Sequence, residues 1–132
     1  MDELQAAILR VKLLHLDEET AKRRIIAERY LQGIKNAKLI LPQVQDSLSH
    51  VWHVFVIRTQ DRSHLQAYLT ENNIQTVIHY PIPPHKQDAF KELSTGHFPI
   101  SERIHESIIS IPLSPVLTME EVDFIIQVLN RY

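Results

Sequence analysis

The stretch His79-Tyr80-Pro81-Ile82-Pro83-Pro84-His85-Lys86-Gln87 gathers two imidazoles, a phenol, an ammonium and an amide within nine residues. Imidazole, phenol and amide groups donate and accept hydrogen bonds, which suits them to sugar hydroxyls and phosphate oxygens. Three prolines in four positions forbid helix and regular sheet, so the segment is expected to be a stiff extended loop. A stiff loop can hold His79, Tyr80, His85 and Gln87 toward a ligand at low entropic cost. The same residues also allow a plainer reading, in which the prolines only route the chain, Tyr80 packs and both histidines are solvated.

Other chemically able residues form weaker constellations. His50 and His53 flank Trp52, but a metal site needs more ligands, and strand residues three apart face opposite sides. They read as ordinary strand residues, and His97 and His105 read as surface residues. Asp17-Glu18-Glu19 and Glu120-Glu121 fall at helix starts, where the helix dipole accounts for acids. Lys22, Arg23 and Arg24 form a basic cluster, read as a solvated face or as an anion contact in an assembled enzyme. Ser107 and Ser110 lie in strand context without a nucleophile elbow.

The elements that must position the proline loop follow from periodicity and caps. Leu4, Ile8 and Val11 space a helix over residues 2–16 with a broad apolar face and no cap before it. Asp17 opens a second helix that ends at Gly33, expected to be a left-handed C′ residue. The two could be one long bent helix. Leu39 to Leu41 is a short apolar run closed by Pro42. Residues 50–59 carry the strongest strand signal, rich in β-branched and aromatic side chains. Asp61 caps a helix to about Asn72, Asn73 stops it, and residues 74–78 read as another strand. After the loop come a short helix near residues 87–93, a helix opened by Ser101 with Glu102 and Arg103 exposed, and a strand over 107–111. Thr118 and Glu121 have capping-box spacing for a last helix that buries Val122, Ile125, Ile126 and Leu129. The expected fold class is α/β, α+β-like, with a small, partly antiparallel sheet covered by helices.

Composition bounds the function. The 132 residues suit one compact domain, and 44% hydrophobic with 23% charged residues is ordinary for a globular chain. A net charge of −2 gives no basic excess for nucleic-acid binding. Two glycines leave little room for Gly-rich phosphate loops, and the absence of cysteine removes disulfide scaffolds, thiolate metal sites and thiol nucleophiles. No apolar run approaches the roughly 20 residues of a membrane span, and M-D-E-L-Q-A-A is no signal peptide, so no membrane association and a cytoplasmic location are expected.

The motifs taken in order resemble one family. M-D-E-L-Q-A-A-I-L opens the series, and Arg23, Ala27 and Tyr30 give R-x-x-x-A-x-x-Y. H-V-F-V-I-R follows at 53–58, L-x-x-N-N-I at 69–74 and H-Y-P-x-P-x-H-x-Q at 79–87. F-P-I-S-E-R at 98–103, S-I-P-L-S-P at 110–115 and L-T-M-E-E-V at 117–122 complete it. The series resembles the C-terminal part of the DegT/StrS family of nucleotide-sugar aminotransferases. The resemblance implies the small C-terminal domain of fold-type I enzymes that use pyridoxal 5'-phosphate. In such enzymes a large N-terminal domain holds the cofactor on a lysine, an amino donor such as glutamate supplies nitrogen, and homodimers share active sites. It implies that residues 1–132 are a single domain, with residues 1–33 leading from a missing large domain and 34–132 forming the α/β core. It carries His79, Tyr80, His85 and Gln87 over as substrate-binding candidates. No lysine here sits in the family's lysine motif, so no cofactor and no catalysis are expected of this chain alone. The alternative is a stand-alone binding or protein-interaction module with the same fold.

Overall fold

The computed structural model describes residues 2–132; the opening motif's Met1 lies outside them. Five α-helices and two strands follow one another as α1 (Glu3–Leu13), α2 (Leu16–Gly33), β1 (Phe55–Arg58), α3 (Arg62–Glu71), α4 (Pro99–Ser107), β2 (Ile108–Ile111) and α5 (Met119–Arg131). Two 3-10 turns, Pro84–Lys86 and Asp88–Leu93, lie between α3 and α4.

β1 and β2 pair antiparallel, with Phe55 opposite Ile111 and Val56 opposite Ser110. Single antiparallel bridges add Ile40 beside Arg58 and Val77 beside Ser110. The expected small antiparallel sheet is present, but residues 39–41 and 74–78 each touch it at one point. Alternation then divides the sheet. Phe55, Ile57, Ile109 and Ile111 join one core cluster with Ile26, Ala27 and Tyr30 of α2, Leu65 and Leu69 of α3, and Val122, Ile125, Ile126, Val128 and Leu129 of α5. Val56 and Ser110 fall on the opposite face.

The strand expected over residues 50–59 is shortened to four residues. Trp52 takes a positive φ of 52°, which no strand residue adopts. The turn buries the indole, which stacks on Phe55 at 5.3 Å, while the Trp52 N–H donates to Nδ1 of His50. Burial of a large aromatic outweighs local strand preference here.

Helix termini repay local reading unevenly. Thr118 and Glu121 form the expected capping box, and Asp61 accepts from the His64 N–H. Asn73 has φ 59°, and the Ile74 N–H returns to the Leu69 carbonyl, a Schellman ending. Three expectations are corrected. Asp2 does cap α1, in a capping box with Gln5. α2 begins at Leu16 with no side-chain cap, so Asp17 lies inside its first turn. Gly33 is not left-handed; it is the last residue of α2, and a Cβ there would stand 2.7 Å from Cδ1 of Ile126. A Cβ there would force the Ile126 side chain to shift, so the close approach of α5 favours glycine. α2 and α5 are also joined by the Arg29–Asp123 pair at 2.7 Å and by Asn130, which donates to the Gly33 carbonyl.

Helix α1 stands apart from this core. None of its residues is buried, and Leu4, Ile8, Val11 and Leu13 are all exposed. No described helix is long and apolar enough to cross a membrane.

The division predicts a sharp contrast in urea unfolding of the chain. Leu129→Ala, in the fully buried core, should cost about 2–5 kcal/mol. Leu4→Ala, 74% exposed on α1, should stay within about 0.5 kcal/mol. Equal costs would show that α1 belongs to the same folding unit's core.

Candidate functional site

The proline loop begins where the bridge at Val77 leaves the sheet. Nδ1 of His79 lies 3.0 Å from Oγ of Ser110, the one polar side chain of β2. The peptide bond from His79 to Tyr80 is cis, and the two rings meet edge to face at 5.7 Å. The Tyr80 carbonyl accepts from Nδ1–H of His105, in the last turn of α4, at 2.6 Å. Tyr80 itself is 67% exposed, and its hydroxyl has no hydrogen-bond partner among the described residues. His79 and Tyr80 thus present polar ring atoms to solvent from a fastened backbone.

The far end of the loop is built differently. His85 is only 6% exposed and packs on the ring of Phe98, with centroids 4.7 Å apart. Its Nε2 lies 3.1 Å from Oε1 of Glu102, and since a carboxylate only accepts, Nε2–H is the donor. Lys86 Nζ lies 3.1 Å from Oε2 of the same carboxylate. The Phe98 N–H donates to Oε1 at 3.3 Å. These contacts, Lys86 foremost, then the Phe98 N–H and then His85, hold the Glu102 carboxyl down at about 2. Gln87 Nε2 donates to the Ile82 carbonyl and closes the loop on itself.

Of the four residues singled out from sequence, the structure therefore brings His79 and Tyr80 together at an exposed edge. His85 and Gln87 are engaged in holding the loop. The solvated reading does not describe His85. A hollow of about 240 Å³ lies between Pro81, Ile82, Pro83, Lys86 and the α4 residues Glu102, His105 and Glu106.

Sequence reasoning missed the residues that fasten this loop. From sequence Glu102 reads as exposed, yet its side chain is 19% exposed and joins three chain segments. The reason is that α4 opens at Pro99, not at Ser101; Phe98 is its N-cap and has no side-chain cap, so Glu102 reaches back to the Phe98 N–H. The spacing F-P-x-x-E carried that signal. From sequence His105 reads as a surface residue, and Ser110 as a strand residue without a nucleophile elbow.

The other candidates are engaged elsewhere. Arg24 donates to the Leu48 and His50 carbonyls, and Arg23 pairs with Glu19 at 3.5 Å. A wide groove of about 870 Å³ runs past Lys38, Arg58, Asp61, His64 and Arg103, is lined by none of residues 79–87, and mixes charges of both signs. Among the described residues no cluster of three or more possible metal ligands occurs. Lys22, Lys86 and Lys91 are ion-paired, Lys38 donates to the Tyr132 carbonyl, and Lys12 and Lys35 are exposed.

Comparison with known proteins joins these observations. A dTDP-3-amino-3,6-dideoxy-alpha-D-galactopyranose transaminase of Aneurinibacillus thermoaerophilus is 54% identical over 132 residues, which are 100% of this chain and 36% of that protein. The crystal structure of S. venezuelae DesV matches with a TM-score of 0.93 and 32% identity, over 99% of this chain and 36% of that one. The structure of NtdA from Bacillus subtilis, with bound cofactor PMP, matches with a TM-score of 0.87 and 30% identity, over 99% of this chain and 32% of that one. The chain spans about a third of the length of these relatives. With residues 1–130 matching the DegT/DnrJ/EryC1/StrS aminotransferase family, the chain belongs to that family.

Proposed function

We propose that this chain is the C-terminal, substrate-side domain of a pyridoxal 5'-phosphate-dependent aminotransferase. The enzyme passes an amino group, drawn from glutamate, to a nucleotide-linked keto-sugar in deoxysugar or polysaccharide biosynthesis. The observation that carries the reading is the pair His79 and Tyr80, exposed on a proline-stiffened loop in a chain 54% identical to a dTDP-sugar transaminase. With Nδ1 engaged by Ser110, His79 has Nε2 left for a sugar hydroxyl or a phosphate oxygen. The Tyr80 hydroxyl offers a second donor and acceptor beside it.

Pyridoxal phosphate supplies an electron sink once it is anchored covalently and its ring nitrogen is held protonated. The residues of this chain do not fit that role. Their ammonium groups are paired, bonded to a carbonyl or solvated, and Lys38, which shares a groove with Asp61, is turned to the Tyr132 carbonyl at 2.8 Å. The cofactor's lysine and carboxylate belong, on this reading, to a large domain preceding the chain in the same polypeptide. The enzyme acts as a homodimer. The exposed apolar stripe of α1 is the surface that the large domain covers.

A second reading, a stand-alone interaction module, draws on the same α1 stripe. Sequencing the gene upstream of Met1 separates them: an in-frame aminotransferase domain favours the enzyme, and a start signal favours the module.

Three outcomes are expected. The isolated chain mixed with pyridoxal phosphate and glutamate should show no cofactor absorbance and no transamination; a stoichiometric adduct lost on Lys86→Ala would sink the assignment. In the longer enzyme, His79→Ala should raise KM for the sugar about tenfold, the loss of one good polar contact, with little change in melting temperature. Unchanged kinetics would remove His79 from the binding site. The isolated chain should self-associate in sedimentation velocity, and Ile8→Glu with Val11→Glu should abolish this; a monomer at all concentrations would mean that the α1 stripe needs no cover.

A further inference from the structure

We infer that Glu102 is a positioning residue for the sugar half of the reaction, fixing where His79 and Tyr80 stand without touching the sugar. The inference rests on the reading of the proline loop as substrate-side.

The geometry is that of a splint. Glu102 and His105 are three residues apart on α4 and so share one face of the helix. Glu102 holds the loop's far end through His85 and Lys86, each at 3.1 Å. His105 holds the near end through the Tyr80 carbonyl at 2.6 Å. Between the two lie Pro81, Pro83 and Pro84, whose φ angles are fixed by their rings. A displacement at residues 85–86 therefore has few torsions in which to be absorbed before it reaches Tyr80 and His79. The Gln87 side chain, bonded to the Ile82 carbonyl, removes further slack.

Charge is what makes one side chain sufficient. A carboxylate accepts from the buried His85 N–H, from the Phe98 N–H and from the Lys86 ammonium together. A neutral amide at the same place keeps one acceptor oxygen and presents an N–H pair to Lys86 or His85. With its carboxyl held down at about 2, Glu102 stays ionised through neutral and mildly acidic pH.

The test uses the longer holoenzyme and measures its two half-reactions separately. Glutamate probes the donor half. The sugar half is run in reverse with dTDP-3-amino-3,6-dideoxy-alpha-D-galactopyranose, the amino sugar named for the relative. Glu102→Gln should raise KM for this amino sugar about tenfold and leave kcat within about twofold. Glutamate kinetics should stay unchanged. Lys86→Met should raise the same KM less, and the double variant should be no worse than Glu102→Gln alone, because both act through one contact set. Equal slowing of both half-reactions would mark Glu102 as merely structural and overturn the inference. Wild-type sugar kinetics in Glu102→Gln while His79→Ala is impaired would overturn it too, leaving the loop's role intact. Wild-type sugar kinetics in both variants would remove the substrate-side reading itself, and the inference with it. If Glu102→Gln fails to fold, His85→Gln and Lys86→Met each remove one contact and face the same criteria.

Discussion

The domain depends on the alternation of one four-residue strand. Along β2, Ile109 and Ile111 enter the core shared with α2, α3 and α5, while Ser110 points the other way. The strand is buried throughout, so a polar side chain within it must find a partner. It finds His79 at 3.0 Å. The same pleat thus makes one face of the sheet dry and turns the other into the seat of the proline loop. A register slip of one residue would put an isoleucine against the loop and the serine into the core.

From that seat the loop is stiffened in two ways. Its prolines lower the entropy of the unfolded chain, so order in the folded loop costs less. Side chains from α4 then fix it in space, Glu102 at one end and His105 at the other. α4 itself opens on Pro99 without a side-chain cap at Phe98, and the Glu102 carboxylate supplies the missing acceptor while it holds the loop. Helix start and loop end are therefore one electrostatic unit, and neither is satisfied without the other.

What could be read from sequence sorts by the range of the interaction responsible. Thr118 with Glu121, Asp61 with His64, and Asn73 after α3 act within a few residues, and their roles were legible from type and spacing. The core face of α5 was legible for the same reason, since helical period alone selects Val122, Ile125, Ile126 and Leu129. Trp52 and Gly33 were not. The indole's burial against Phe55 and the close approach of Ile126 to Gly33 are tertiary facts that reverse what local propensity suggests. The site divides in the same way. The chemical groups of the loop could be listed from the chain, but the partners that decide which are free lie 17, 25 and 31 residues away, in the pairs His85–Glu102, Tyr80–His105 and His79–Ser110.

That division bears on how such a domain can serve a larger enzyme. The core closes on α2, α3, α5 and the sheet without any buried residue from α1. The loop's supports, Ser110, Glu102 and His105, also all come from within these residues. Position of His79 and Tyr80 is thus set by contacts internal to the chain, whereas the apolar stripe of α1 is exposed along its length among the described residues. On the proposed reading the two features do different work. The loop carries a geometry fixed before assembly, and α1 supplies the surface through which that geometry is brought to a cofactor held elsewhere. Preorganisation on one side and an uncovered apolar face on the other are what a small domain needs to act on chemistry it does not itself contain.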